Sequence, residues 1–183
     1  SWRRPHEHEG LAVADIDGDG VVDIVGGGRW FKHEANGTFT PNIVDAAYVF
    51  TRVAVGQLKP GDRPQIVLAV GDGEGPLMMY EWIGNVWKGR ALVEGLRDPH
   101  SLAVVDFDGD GHLDIFVAEI QLGHNPNPTA RLLYGDGKGG FTLTEVLNGF
   151  GLHESRIADL NGDGLPDILA KPYTWKAPQL DIF

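Results

Sequence analysis

The sequence predicts an all-β protein built from the four-stranded antiparallel blades of a β-propeller. Three observations carry this expectation. An acidic nonapeptide recurs as "DIDGDGVVD" (15–23), "DFDGDGHLD" (106–114) and "DLNGDGLPD" (159–167). Its flanks are short, rich in Val, Ile and Leu, and bounded by Gly and Pro, with no sustained 3.6-residue apolar period. A degenerate copy, "VAVGQLKPGDRPQIVLAV", aligns Gln57 with the first acidic position, so repeats start at Asp15, Gln57, Asp106 and Asp159, spaced by 42, 49 and 53 residues. A period of this size signals a propeller or a solenoid. A parallel β-helix uses shorter coils, so the propeller is favoured.

The repeats divide the chain at about 1–46, 47–97, 98–148 and 149–183. Each reads as an apolar strand, an acidic loop, a second apolar strand and up to two more. The third repeat is the clearest, with strands expected near 101–105, 114–119, 131–134 and 141–146. Its first strand is apolar at nearly every position, as a strand covered on both faces must be. The fourth repeat offers a second strand in "DILAKP" and a third in "QLDIF" but has no room for a fourth, so it is incomplete. The segment "SWRRPHEHEG" has a poor strand pattern. About four repeats are therefore expected, as one propeller or a segment of a larger ring. A segment would expose the flank of a blade and favour self-association.

Composition narrows the function classes. Across 183 residues, 26 glycines and 11 prolines indicate many turns. A net charge of −11 disfavours nucleic acid as a partner. No apolar run approaches the ~20 residues of a membrane helix, so no membrane insertion is expected. Cysteine is absent, which excludes thiol catalysis.

The loops carry the most specific chemistry. Positions 1, 3, 5 and 9 hold oxygen side chains: Asp15, Asp17, Asp19 and Asp23; Asp106, Asp108, Asp110 and Asp114; Asp159, Asn161, Asp163 and Asp167. Glycine at position 6 permits a sharp turn that can direct the carbonyl of Val21, His112 or Leu165 inward. Oxygen-only ligands in a tight loop suit Ca²⁺, with Mg²⁺ second because it demands octahedral geometry. Uncompensated, such charges about 4 Å apart cost about 1–4 kcal/mol per pair. An EF-hand needs Glu at position 12 and flanking helices; Gly26, Val117 and Ala170 stand there, between strand-like flanks. Three calcium sites are expected. The second repeat, with Gln57, Lys59, Gly61 and Gln65 at these positions, should bind none, and Lys59 is expected to supply its positive charge.

These repeats resemble the FG-GAP/VCBS class, whose units run strand, DxDGDGxxD, strand, then DGxGxF. The last element stands here as "GDGKGGF" (135–141) and more weakly as "EANGTF" (34–39). The resemblance implies a β-propeller of FG-GAP/VCBS-type blades, each with calcium between its first two strands, except in the second repeat. Its members range over adhesive heads, lectins, lyases and dehydratases, so fold alone does not fix function. The stretches "EGLAVADIDGDG", "GGGRWFKH", "PHSLAVVDFDGDG", "HESRIADLNGDG" and "AKPYTW" are also similar, less specifically, to the propeller of aldos-2-ulose (anhydrofructose) dehydratases. That similarity implies a sugar-directed face with a bound metal.

Strand direction places a second set of residues at the face opposite the calcium loops. Before the first strands stand Glu9, Thr51, His100 and His153, followed by Glu154; after the second strands stand Arg29 and Trp30, Glu119, then Lys171 and Tyr173. His6, His8, His124 and Arg131 belong to neighbouring segments. His100 and His153 each lie six residues before their loop's first Asp. His100, His153, Glu119, Lys171, Tyr173 and Arg29 are the candidate catalytic residues. They suit proton abstraction beside a carbonyl, with return of a proton to a leaving oxygen, which is carbon–oxygen lyase chemistry. Zn²⁺ or another divalent ion held by His with Glu119 or Glu154 is the accompanying expectation. The alternatives are a lectin-like module that stacks Trp2, Trp30, Trp82, Trp87, Tyr173 or Trp175 on sugar rings, and an adhesion scaffold. The expected partners are a carbohydrate and a second copy completing the ring. The calcium requirement points to an extracellular or periplasmic location.

Overall fold

The computed structural model describes residues 9–172 and 180–183, and every regular element among them is a β-strand. Blade 1 comprises β1 (Ala12–Ala14), β2 (Asp23–Gly26), β3 (Arg29–His33) and β4 (Phe39–Ile43). Blade 2 comprises β5 (Thr51–Gly56), β6 (Gln65–Val70), β7 (Glu74–Ile83) and β8 (Val86–Arg97). Blade 3 comprises β9 (Pro99–Val105), β10 (Asp114–Glu119), β11 (Thr129–Gly135) and β12 (Phe141–Asn148). Blade 4 comprises β13 (Glu154–Ala158), β14 (Asp167–Lys171) and β15 (Asp181–Ile182). Within each blade the strands pair antiparallel in sequence order, and the blades take a four-blade β-propeller arrangement. The expected all-β propeller fold is what the chain adopts. Tyr173 and Trp175, like Trp2, His6 and His8, lie outside the described residues.

The strands form where they do because each blade must bury two faces. The second strands are the most apolar, and β10 (DIFVAE) is buried at every position. Successive side chains on a strand point to opposite faces, so alternate residues of one blade enter two different cores. Ile16, Val25 and Trp30 of blade 1 meet Val53, Ile66, Leu68 and Tyr80 of blade 2. Ala54, Val67, Ala69 and Leu77 of blade 2 meet Ile115, Val117 and Leu133 of blade 3. Phe107, Phe116, Ala118 and Leu132 of blade 3 meet Ile168 and Ala170 of blade 4. Three cores thus join four blades. Trp30 lies in the first core with the Arg63 guanidinium 5.9 Å from its ring, and Trp82 packs edge-on against Trp87 at 5.3 Å. These indoles serve packing, which corrects the expectation that Trp30 faces a sugar.

Blades 1 and 3 share a turn between their third and fourth strands. In the β3–β4 turn of blade 1, Asn36 Oδ1 accepts the Thr38 N–H at 3.0 Å; in blade 3, Asp136 Oδ1 accepts those of Lys138 and Gly140 at 2.7 and 2.8 Å. These two backbone bonds hold the Asp136 carboxyl below the usual range. The acidic loops between the first two strands recur more closely still, and position the site described next.

Candidate functional sites

Each acidic loop is organised around its first aspartate. Asp15 Oδ1 accepts the Gly18 N–H at 2.8 Å and Oδ2 that of Gly20 at 2.8 Å. Asp106 repeats this with Gly109 and Gly111 at 2.7 and 2.9 Å, and Asp159 with Gly162 and Gly164 at 2.6 and 3.0 Å. Both glycines of every loop have positive φ (75–90°), which L side chains adopt only under strain. The glycine at position 4 therefore matters as much as the one at position 6. Position 9 is a strut. Asp23 accepts the N–H groups of Ile16 and His33 at 3.1 and 2.8 Å, and Asp114 those of Phe107 and Gly135, both at 2.8 Å. Each ties the loop to the third strand. Burial dominates at Asp114 and, with Asp108 and Asp106 nearby, holds its pKa up despite those two bonds.

The donor set fits a hard divalent cation. Carboxylate oxygens of Asp15, Asp17 and Asp19 converge within 4.8 Å of one another, as do those of Asp106, Asp108 and Asp114. Asp17 Oδ1 is buried without a hydrogen-bond partner. The Lys32 ammonium, reaching from β3, contacts both Asp17 and Asp19. It lowers the Asp19 pKa, and its hydrogen bonds to Asp17 and Asp19 raise the Lys32 pKa. Loop 1 thus already attracts a positive group. In loop 3, Asn161 donates to Asp163 Oδ2 at 3.1 Å and Asp163 Oδ1 accepts the Leu165 N–H at 2.9 Å. The N–H groups of Val21 and His112 bond likewise to Asp19 and Asp110 at 2.9 and 2.7 Å. The second repeat corrects the expectation for Lys59. Its ammonium pairs with Glu81 Oε1 at 2.9 Å, outside the loop. The Gln57 amide instead donates to the Lys59 carbonyl at 2.6 Å and that of Gly61 at 3.4 Å, closing the turn with a neutral group.

At the opposite ends of the inner strands lies a polar cavity of about 340 Å³. Glu9 and Gly10, Arg52, His100 and Ser101, and Glu154, Ser155 and Arg156 line it, so all four blades contribute. The lining begins six residues before the loop in blades 1 and 3 and five before it in blades 2 and 4. Arg52 lies at its centre, 3.0 Å from Glu9 Oε2 and 3.7 Å from Glu154 Oε2. The Arg52 guanidinium also donates to the Glu9 carbonyl at 3.0 Å. Ser101 Oγ and Ser155 Oγ lie 2.9 Å apart. The His100 and His153 rings stack with centroids 5.4 Å apart and planes 26° from parallel. His100 Nδ1 is 3.1 Å from the Asp98 carbonyl, and its Nε2 lies 3.4 Å from Asp72 and 3.7 Å from Glu9. Burial, then the charges of His100, Lys171 and Arg52, push the His153 pKa down.

The other predicted residues divide. Lys171 lies opposite Glu154 in the β13–β14 register, and its carbonyl accepts the His153 N–H at 2.9 Å. Glu119 is buried as a strut: Oε1 accepts the Arg97 N–H at 2.8 Å, and Oε2 accepts the Thr129 N–H at 2.8 Å and hydroxyl at 3.1 Å. Arg131 lies 3.8 Å from it, and His124 pairs with buried Asp98 at 2.6 Å. Arg29 opens β3 opposite Ile43, away from the cavity lining, and Thr51 is fully buried. Among the described residues, neither converging acidic group includes a histidine. Arg52, Asp72 and the Ser101–Ser155 pair are what sequence reasoning missed. The available signal was position: Arg52 and Ser101 each stand five residues before a loop, one step along from Thr51 and His100.

Four-stranded antiparallel blades around an axis, with acidic turns between their first two strands, define a β-propeller. The family model for the FG-GAP-like repeat matches residues 61–117, from the loop of blade 2 into β10. That stretch is similar to an FG-GAP-like repeat, the class the motifs resemble. No curated protein matches the chain.

Proposed function

We propose that the chain is a calcium-stabilised β-propeller that binds a carbohydrate in its axial polar cavity. The observation that carries this reading is the convergence of Glu9, Arg52, His100, Ser101, Glu154 and Ser155 around about 340 Å³, within the range of small-molecule sites. Sugar hydroxyls donate and accept at once, and this lining offers both: carboxylates and imidazoles accept, serine hydroxyls do either, and Arg52 donates. Glu9 and Glu154 flank Arg52, so the cavity has no surplus positive charge to select a phosphate. Asp15, Asp17 and Asp19, Asp106, Asp108 and Asp114, and the equivalent side chains of loop 3 would hold calcium. The ion would offset carboxylate repulsion and stiffen the β1–β2, β9–β10 and β13–β14 corners. Sites of this kind fill where calcium is abundant, which supports an extracellular or periplasmic location.

A second reading, carbon–oxygen lyase chemistry, is favoured by the depressed pKa of His153. A neutral imidazole stacked on His100, which lines the cavity, is a competent proton acceptor at neutral pH. It would take the proton beside a carbonyl; the electron pair would form the C=C bond as the carbon–oxygen bond breaks, and His100 would return a proton to the departing hydroxyl.

Titration calorimetry of the calcium-loaded protein against a panel of mono- and disaccharides tests the first reading. A saccharide should bind, and Glu154→Gln and Ser155→Ala should weaken it at least tenfold with unchanged circular dichroism. No binding at millimolar saccharide, or binding indifferent to both variants, overturns it. Formation of an unsaturated product, lost in His153→Asn, separates the lyase reading from simple binding.

A further inference from the structure

We propose that one position on the third strand decides how much each acidic corner needs a divalent ion. Lys32 stands in for calcium at loop 1, and the loop at 106–114 is left as the corner that fills first. This ranking rests on the calcium reading above.

The repeat register reveals the position. The residue after position nine of a loop is Ile24, Ile66 or Ile115, and it pairs with Phe31, Tyr80 or Leu133 on the third strand. The next residue on that strand is Lys32 in blade 1, Glu81 in blade 2 and Tyr134 in blade 3. Position three of the same loops holds Asp17, Lys59 and Asp108. In blade 1 the Lys32 ammonium contacts Asp17, and Asp19 beside it. In blade 2 the Lys59 ammonium lies 2.9 Å from Glu81. The same two positions therefore hold an ion pair in both blades, with the charges exchanged. Their shielding matches too: both carboxylates are 14% exposed, and the ammoniums 28% and 29%. A pair that inverts between repeats yet keeps its place and its burial belongs to the design of the corner.

Blade 3 lacks the pair. Tyr134 brings no charge to Asp108, and among the described residues no lysine or arginine pairs with Asp106, Asp108, Asp110 or Asp114. Carboxylate oxygens of Asp106, Asp108 and Asp114 nonetheless converge within 4.8 Å, so position nine joins the group here, whereas the group in blade 1 is Asp15, Asp17 and Asp19. The loop at 159–167 has Asn161 at position three and one carboxylate fewer. The corner with the most uncompensated negative charge attracts a cation most strongly. Calcium enters loop 1 only when the ammonium swings out. An ammonium in place in about nine molecules of ten lowers the apparent affinity about tenfold.

The position-six glycines, Gly20, Gly111 and Gly164, each report their own corner in nitrogen–proton correlation spectra of the chain titrated with calcium chloride. The Gly111 amide should move at the lowest calcium, and that of Gly20 at a concentration at least tenfold higher. Lys32→Met should bring the Gly20 midpoint down at least tenfold and leave Gly111 in place. Tyr134→Lys should raise the Gly111 midpoint at least tenfold and leave Gly20 in place. In EDTA, Lys32→Glu should lower the melting temperature, and adding Asp17→Lys, which rebuilds the arrangement of blade 2, should recover it. Gly20 and Gly111 moving together, a Gly20 midpoint indifferent to Lys32→Met, or a double exchange no more stable than Lys32→Glu alone would each overturn the proposal while calcium binding stands. No movement at any of the three glycines in millimolar calcium overturns the calcium reading itself, and the ranking with it.

Discussion

Lys32 and His153 show how single side chains set the two ends of each blade against different solution conditions. The Lys32 ammonium contacts Asp17 and Asp19, so it holds a place that a divalent ion also suits. Lys32→Met should lower the melting temperature in EDTA, because two close carboxylates lose their cation. Millimolar calcium should restore it, and loop 1 should then bind calcium more tightly than in the unaltered chain. Differential scanning with and without calcium reads both effects; an equal loss in both buffers removes the link between Lys32 and a cation site. His153 is depressed below the ordinary histidine pKa, chiefly by burial. The unfolded chain therefore binds a proton at this residue before the folded chain does. Its contribution to stability is complete above about pH 6.5, the unfolded value, and is lost as pH falls through the folded pKa. His153→Asn should flatten the melting-temperature decline on that acidic side and leave stability at pH 8 nearly unchanged. An unaltered acid limb would mean the folded imidazole titrates normally.

At the scale of the element, the strand–loop–strand unit was legible because its chemistry is local. Asp114–Glu119 was predicted to the residue, since a loop ligand begins it and β-branched residues continue it. β9, β11 and β12 each run one or two residues beyond the predicted ends, where backbone pairing rather than composition decides. The cavity was half legible. Glu9, His100 and Glu154 were found from strand direction, whereas Arg52 was not, because its place depends on how far the inner strands reach past one another. Glu119 and Arg29 looked equivalent to the histidines in sequence; only pairing with Thr129 and Arg97, or across from Ile43, separates them. Close approach between blades is equally invisible in one repeat. Gly56 sits under Val104 and Leu113 of blade 3, with a hypothetical Cβ 2.5 and 2.9 Å from their side chains. Gly56→Ala should overpack this seam and cost about 1–3 kcal/mol, measured by urea unfolding. No loss would mean that blades 2 and 3 slide apart freely.

At the scale of the whole molecule, three cores join the four blades among the described residues, so stability should be graded from the centre outward. Blades 2 and 3 each pack on both sides. β6 and β10 are their centres: β10 is buried throughout and β6 at all but its last residue. Blade 4 packs on one side only among the described residues, its acidic loop is almost wholly exposed, and β13 has no fully buried residue. Local opening follows buried contacts, so β13–β15 should open before the centre does. Hydrogen exchange should be slowest at the amides of β6 and β10 and fastest at those of β13–β15. Calcium should slow exchange most in the turns at 15–23, 106–114 and 159–167, and little at 57–65, where Gln57 already closes the turn. Blade 4 amides as slow as those of β10 would mean that contacts beyond the blade 3–blade 4 core hold blade 4 in place.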